Sequence, residues 1–370
     1  MPKYKDCRAF ITALGTSVPP HRFPQASIGE FMKKYMVLDD KRRRWVDQLV
    51  LQSQIRFRHS VIPDYGKNFE DFTFYPNNPE LSPFPGVGRR MAYYKEKALP
   101  LAVEAANACL NNADTEVRTI THLIVVSCTG MYAPGLDIEL VQTMGMRGNV
   151  ERTCINFMGC YAAFNALKVA ATITQANPDA RVLIVCVELC SLHFQKEGAD
   201  ASNLITNMLF GDGASAALIE GKKKEGKLTL AMINFASDLI PEGASDMTWE
   251  ISDFGFVMNL TNKVPSMLSK GVESVFKQLN DQNVYIDHYV FHPGGPRVLE
   301  ALQAACHLEN AALNGSYEIL KEYGNMSSAT LFFILQRLMR NAGVKSGEYI
   351  LSAAFGPGLT CESALLRVTN

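Results

Sequence analysis

No stretch of apolar residues in this 370-residue chain is long enough to cross a bilayer. The longest, Leu123–Cys128 and Val182–Val187, are short and β-branched and read as buried strands. An excess of either charge is also missing. Lys and Arg number 36 against 37 Asp and Glu, a net charge of −1, which leaves no electrostatic footprint for nucleic acid and no polybasic membrane anchor. The first residues, Met1–Asp6, have no apolar signal core, so a cytoplasmic location is expected. There is no C-x-x-C, and none of the seven histidines falls in an H-E-x-x-H or finger-like spacing, so a zinc site has no support. Nine cysteines, an odd number in a reducing compartment, do not make a disulfide framework; most are expected as small buried hydrophobes. The remaining composition, 47% hydrophobic and 20% charged, is that of an ordinary globular protein.

Strand-like and helix-like runs alternate along the chain. Arg8–Leu14, Leu123–Cys128, Arg181–Glu188 and Ala214–Glu220 predict strands, while Ala98–Asn111 and Cys160–Gln175 predict helices. This alternation indicates an α/β fold with buried sheets. The charged, glycine-bounded turn Gly221–Gly226 is the best boundary between two halves, 1–225 and 226–370. Beyond it the pattern restarts, with strands expected over Leu228–Asn234, Tyr285–Phe291 and Tyr349–Ala354 and helices over Lys263–Asn280 and Ser327–Asn341. In each half a glycine turn (Gly211–Gly213, Gly356–Gly358) leads into a late apolar strand, which suggests duplication with a site between the halves. Tyr65–Arg90, rich in Pro, Asn and Phe, reads as a long loop, a kind of segment that often covers an active site.

Three segments have the residue types for chemistry. In Asn156–Ala163 a strand-like run ends in Met158-Gly159, and Cys160 opens an alanine-rich helix. There the helix dipole favours a thiolate; the alternative is a buried cysteine at a tight turn. His292 closes a buried strand before a proline-glycine stretch, poised towards a site, and a nucleophilic cysteine needs such a base or counter-ion. Asn325 precedes the helix after Gly324, either as an N-cap or as an amide donor aimed at an oxyanion. The spacing of the three leaves hydrolysis and carbon–carbon bond formation both open.

With these segments in hand, the sequence resembles the chalcone synthase-like enzymes, the type III polyketide synthases of the thiolase superfamily, over about Ala9 to Val368. The markers are Gly159-Cys160, Leu209–Ala214, His292–Pro296, Tyr323–Ala329 and Phe355–Thr360, in the family's order. Ser127–Gly135 and Glu188–Ser191 are closer in style to bacterial than to plant members. The resemblance implies a thiolase-like fold, two halves in a five-layered α-β-α-β-α arrangement, and a homodimer. It further implies that Cys160 takes a starter acyl group from acyl-CoA, that malonyl-CoA loses CO2 to an enolate, and that His292 and Asn325 hold the thioester oxygen while His292 pairs with the Cys160 thiolate. CoA thioesters are then substrates, and no metal or redox cofactor is expected.

The same resemblance implies a cavity lined by Phe210 as gatekeeper and by Cys128, Thr129, Ala133, Cys190, His193, Trp249, Met258 and Ser327, with Arg56 and Arg58 as cations for the phosphates of CoA. Met258 stands where plant members carry a second gatekeeper phenylalanine, unless a slip of alignment gives that place to Phe256. Thr129, Ala133 and Cys190 match synthases that accept medium or long acyl chains and give alkylpyrones or alkylresorcinols. Cys128 instead matches malonyl-only synthases that make polyphenols such as tetrahydroxynaphthalene. A ketoacyl synthase of the KAS III type, hydroxymethylglutaryl-CoA synthase and a catalytically silent scaffold subunit are the rival readings. The Phe-Gly-Pro-Gly run and the intact Cys, His and Asn weigh against them.

Overall fold

The computed structural model describes residues 9–198, 200–280, 283–309 and 311–370; Cys7 and Arg8, the first residue of the expected opening strand, lie outside these. The first half runs β1 (Phe10–Ser17), β2 (His21–Pro24), α1 (Gln25–Tyr35), α2 (Asp40–Gln52), β3 (Phe57–Ser60) and α3 (Val87–Ala113). It continues through β4 (His122–Ser127), α4 (Leu136–Met144), β5 (Glu151–Asn156), α5 (Ala162–Ala176), β6 (Arg181–Leu189), α6 (Ala201–Leu209) and β7 (Asp212–Glu220). The rest of the chain begins with β8 (Thr229–Leu239), β9 (Met247–Ser252), β10 (Gly255–Leu260), α7 (Val264–Leu279) and β11 (His288–Phe291). It ends with α8 (Pro296–Ala305), α9 (Asn314–Tyr323), α10 (Thr330–Met339), β12 (Tyr349–Gly356) and β13 (Thr360–Thr369).

The main sheet has the order β11-β12-β13-β8-β1-β7-β6-β4-β5. Its two parts repeat one pattern. β4 lies parallel to β6, β6 antiparallel to β7, and β7 antiparallel to β1; likewise β11 is parallel to β12, β12 antiparallel to β13, and β13 antiparallel to β8. The parts join through β1 and β8 over only two residue pairs, Phe10 with Ala231 and Ile11 with Leu230. β4 and β6 are nearly continuous apolar runs because helices cover both faces.

Helices α3 and α4 pack outside the first part and α7 and α8 outside the second, while α5 and α10 fill the space between them, giving five layers. A helix between two sheets must be apolar around most of its girth and slim enough for both to approach. α5 meets this with Ala162, Ala163, Ala166, Ala170 and Ala171, all fully buried.

Some boundaries differ from expectation. α5 begins at Ala162 rather than Cys160, and Ser327–Ala329 is a separate 3-10 turn before α10, because Phe157, Gly159 and Ser327 have φ values of 61°, 87° and 48°, outside the helical region. α3 starts at Val87, well before Ala98, with Pro100 inside it rather than in its first turn. The segment from Val61 to Gly86 has no helix beyond a 3-10 turn at Phe69–Asp71, yet it is tightly organised. The buried Asp64 carboxylate accepts the backbone N–H groups of Thr73 (3.0 Å), Phe74 (3.0 Å) and Tyr75 (2.9 Å). No helix among the described residues is long and apolar enough to cross a membrane.

Candidate active site

Cys160 lies in the turn from β5 to α5, a buried position at the N-terminal, positive end of the central helix. The turn is shaped from the other part of the fold: a Cβ on Gly159 would lie 2.4 Å from Cδ of Pro357, in the β12–β13 turn. With φ at +87° as well, position 159 requires glycine. Asn325 occupies the equivalent turn before α10. Its backbone is clamped, the N–H donating to Leu209 O (3.0 Å) and the carbonyl accepting from Gly211 N–H (2.9 Å). Its side-chain Oδ1 accepts the Ser327 N–H (2.8 Å) and lies 3.9 Å from the Cys160 Sγ. Because Oδ1 is thus fixed, the amide NH2 is the end left to meet an incoming oxygen.

His292 follows β11, its N–H donating to Ala353 O (2.8 Å). The ring is buried beside the Asn325 side chain, close enough to interact with it, but neither ring nitrogen makes a well-formed hydrogen bond. Two unsatisfied buried nitrogens are costly in an apolar interior and are expected where a ligand completes the site. Burial drives the imidazole down to about 3, with Asn325 offsetting part of the shift. Burial likewise pushes the Cys160 thiol up to about 12, against the pull of Ser327 and Asn325. Burial therefore opposes both members of the thiolate–imidazolium pair that the family resemblance implies, and the neutral thiol and imidazole are the forms it favours.

The cavity over Cys160 is lined by Cys128, Thr129, Cys190, His193, Phe210, Trp249, Met258 and Ser327, all expected there. Both Phe256 and Met258 reach it. Phe256 stacks on His193 at 4.2 Å and meets Phe157 edge-on at 5.0 Å. His193 is a wall element: Nε2 bonds Thr129 O (2.7 Å), Nδ1 accepts the Phe256 N–H (3.0 Å), and burial lowers its pKa to about 3. The Trp249 indole N–H donates to Cys128 O (2.8 Å), and the Cys128 Sγ accepts the Gly159 N–H (3.0 Å), bracing the Gly159-Cys160 turn. The free volume over Cys160 is about 60 Å³.

In the single chain Ala133 is exposed on the loop that leads from β4 to α4 and is not among the residues lining this cavity. One expectation fails on position. Arg58 is no surface cation. It points inward from β3, 5% exposed, and lines the cavity, since strand alternation turns it to the face opposite its neighbour Phe57. Arg56 is exposed, with its guanidinium 5.1 Å from the Phe57 ring centre. A feature the sequence reading passed over is Glu188, at the end of β6 and fully buried. It accepts hydrogen bonds from Cys128 N–H (3.0 Å), the Thr129 hydroxyl (2.8 Å) and the Ser328 hydroxyl. One acidic residue in the apolar run Val182–Leu189 was the signal for it.

The fold is the thiolase-like one, with the site where the two parts of its main sheet and the central helices converge. Family models for the chalcone and stilbene synthases match the chain over residues 2–223 for the N-terminal domain and 231–370 for the C-terminal domain, and the chain belongs to that family. It is 27% identical to the alpha-pyrone synthesis polyketide synthase-like Pks18 of Mycobacterium tuberculosis, over 97% of this chain and 91% of that protein. It is 28% identical to type III polyketide synthase A of Arabidopsis thaliana, over 97% and 93% respectively. Among solved structures, PKS-I of the brown alga Ectocarpus siliculosus matches with a TM-score of 0.90 at 30% identity, covering 97% of this chain and 98% of that one. The C-terminal type III polyketide synthase domain of Steely1 from Dictyostelium matches with a TM-score of 0.90 at 25% identity, covering 98% and 99%.

Proposed function

We propose that this acyl-transferring enzyme is a type III polyketide synthase that loads an acyl group from acyl-CoA on Cys160 and extends it with malonyl-CoA. The observation that carries the reading is the Cys160 thiol 3.9 Å from Asn325 Oδ1, with the unpartnered nitrogens of His292 beside that amide. Cys160 attacks the thioester carbonyl, its proton passes to His292, and the carbonyl oxygen takes the electron pair. The pair then re-forms the carbonyl, the carbon–sulfur bond to CoA breaks, and CoA leaves as the thiol with the proton from His292. In extension, the bond from malonyl to its carboxylate breaks, CO2 departs, and the pair becomes an enolate. Its oxygen is held by the Asn325 NH2 and His292. The enolate carbon attacks the acyl group, the carbon–sulfur bond to Cys160 breaks, Cys160 departs as the thiolate, and the chain, longer by two carbons, is left on CoA. Aimed donors at the developing oxyanion account for the rate.

The route assigned to CoA is a groove of about 570 Å³ whose walls include Trp45, Leu209 and Gly294–Arg297, the last two next to Phe210 and close to His292 in the sequence. A homodimer fits the edge strand β5, most of whose residues are exposed on both faces in the single chain.

The starter is a medium-chain or longer acyl-CoA and the product an alkylpyrone or alkylresorcinol type. The small side chains of Thr129 and Cys190 in the cavity wall support this, as does a relative named for alpha-pyrone synthesis. A second reading, a chain built from malonyl units alone, is favoured by Cys128 directly under the nucleophile turn. Intact-mass measurement after acyl-CoA incubation tests the function. An adduct on Cys160 and product release on adding malonyl-CoA are expected; no adduct with any CoA ester refutes it. Turnover of malonyl-CoA alone as fast as with any starter selects the second reading.

A further inference from the structure

Arg58 is the most unusual group in the cavity wall. Its Nη1 donates to the carbonyls of Asn207 (2.9 Å) and Phe210 (2.5 Å), closing the C-terminal end of α6. That uses one nitrogen. Nε and Nη2 are buried and have no partner. No carboxylate lies within ion-pair distance of it among the described residues; Asp212, which attracts it from farther off, already accepts from Val61 N–H, Ser191 N–H and the Ser191 hydroxyl. A structural arginine that served only to cap α6 would be expected to have its remaining N–H groups satisfied or in solvent, since a buried unpaired donor is costly.

The wall around Arg58 is polar, with Ser191, Gln195, Asn203, Thr206 and Asn207 beside Cys190. These neighbours are occupied: the Asn203 and Asn207 amides donate to the backbone at Gln195–Gly198, and the Thr206 hydroxyl donates to Asn203 O. Against these, the guanidinium has two unpartnered donors, Nε and Nη2. Burial lowers its pKa to about 10, so it remains a cation at neutral pH.

We propose that Arg58 is a specificity-determining residue that binds an oxygen of the acyl chain remote from the thioester, so that the site selects oxygen-bearing chains over plain alkyl ones. This rests on the synthase reading above and refines its substrate class. The planar fork suits a carboxylate, hydroxyl or ketone oxygen. Such an oxygen has two sources: the far end of an oxidised starter, or the ketones of a chain built from malonyl units.

The test compares acyl loading on wild-type Cys160 by intact mass, using octanoyl-CoA, 8-hydroxyoctanoyl-CoA and the corresponding ω-carboxy ester, together with product analysis from malonyl-CoA. A charge-assisted hydrogen bond predicts kcat/KM at least ~10-fold higher for an oxygenated ester than for octanoyl-CoA. Arg58→Met is expected to abolish that preference, and Arg58→Lys, which keeps the charge and most of the packing, to retain part of it. If the oxygen comes instead from malonyl units, the starters load alike but Arg58→Met and Arg58→Lys both shorten the malonyl-derived products. Starters loading within twofold on the wild type, with unchanged product lengths in Arg58→Lys, would overturn the proposal. A wild type with no adduct from any ester would instead overturn the synthase reading beneath it.

Discussion

Glu188 gives the sharpest physical test of the site's interior. Burial raises its carboxyl from 4.5 to about 7, against the pull of its Ser328, Cys128 and Thr129 donors. The folded state therefore binds the proton more tightly than the unfolded one. The associated stability is fully present below 4.5 and is lost as pH rises through about 7. Between about pH 5.5 and 8.5 a group shifted this far removes ~2 kcal/mol. Asp212, raised by burial to about 6, adds a smaller loss of the same sign. Glu188→Gln has no proton to lose there but leaves Asp212 in place, so the difference between the two proteins isolates Glu188. Urea unfolding of both at several pH values is the assay. The wild type is expected to lose ~2 kcal/mol more than the variant across the range; parallel stability profiles would show that Glu188 ionises no differently in the folded chain and refute the argument.

Cys160→Ala is expected to eliminate the acyl adduct and all chain extension, read by mass spectrometry. Asn325→Ala should slow malonyl-CoA decarboxylation by ~10²–10³, the usual cost of an oxyanion donor, measured as CO2 release. Gly159→Ala, which drives a Cβ into Pro357 at a left-handed position, should displace the nucleophile and cut acyl loading by roughly 10². Asp64→Ala, which strips three backbone N–H groups of their shared carboxylate, should cost at least ~3 kcal/mol in urea unfolding.

How far the sequence reveals this molecule depends on whether a feature is local. The apolar run of β4 and the alanines of α5 announce a buried strand and a buried helix, because their patterns follow from what covers them. The start of α5 is different. Nothing in Met158-Gly159-Cys160 says that Pro357, nearly two hundred positions away, holds Gly159 in a left-handed turn and delays the helix to Ala162. Cys160 and Asn325 were legible as residue types at element ends, and their separation of 3.9 Å was not, since it depends on both helices entering one layer. Arg58 shows the limit most clearly. Its residue type and neighbourhood suggested a surface cation, but the register of the short strand β3 turned it inward. A shift of one residue reverses such a reading.

The interlock between the nucleophile turn and the β12–β13 turn also bears on recombination. Gly159 makes room for Pro357, and Gly356 makes room for the Tyr161 ring, where a Cβ would sit 2.7 Å away. The four residues form two reciprocal fits between stretches that a crossover near Gly221 would inherit from different parents. A chimera joined there keeps its nucleophile aligned only if both parents carry compatible versions of these turns, whatever else they share. For this chain, the junction best suited to exchange by length and surface exposure is the one most exposed to incompatibility at the reacting sulfur.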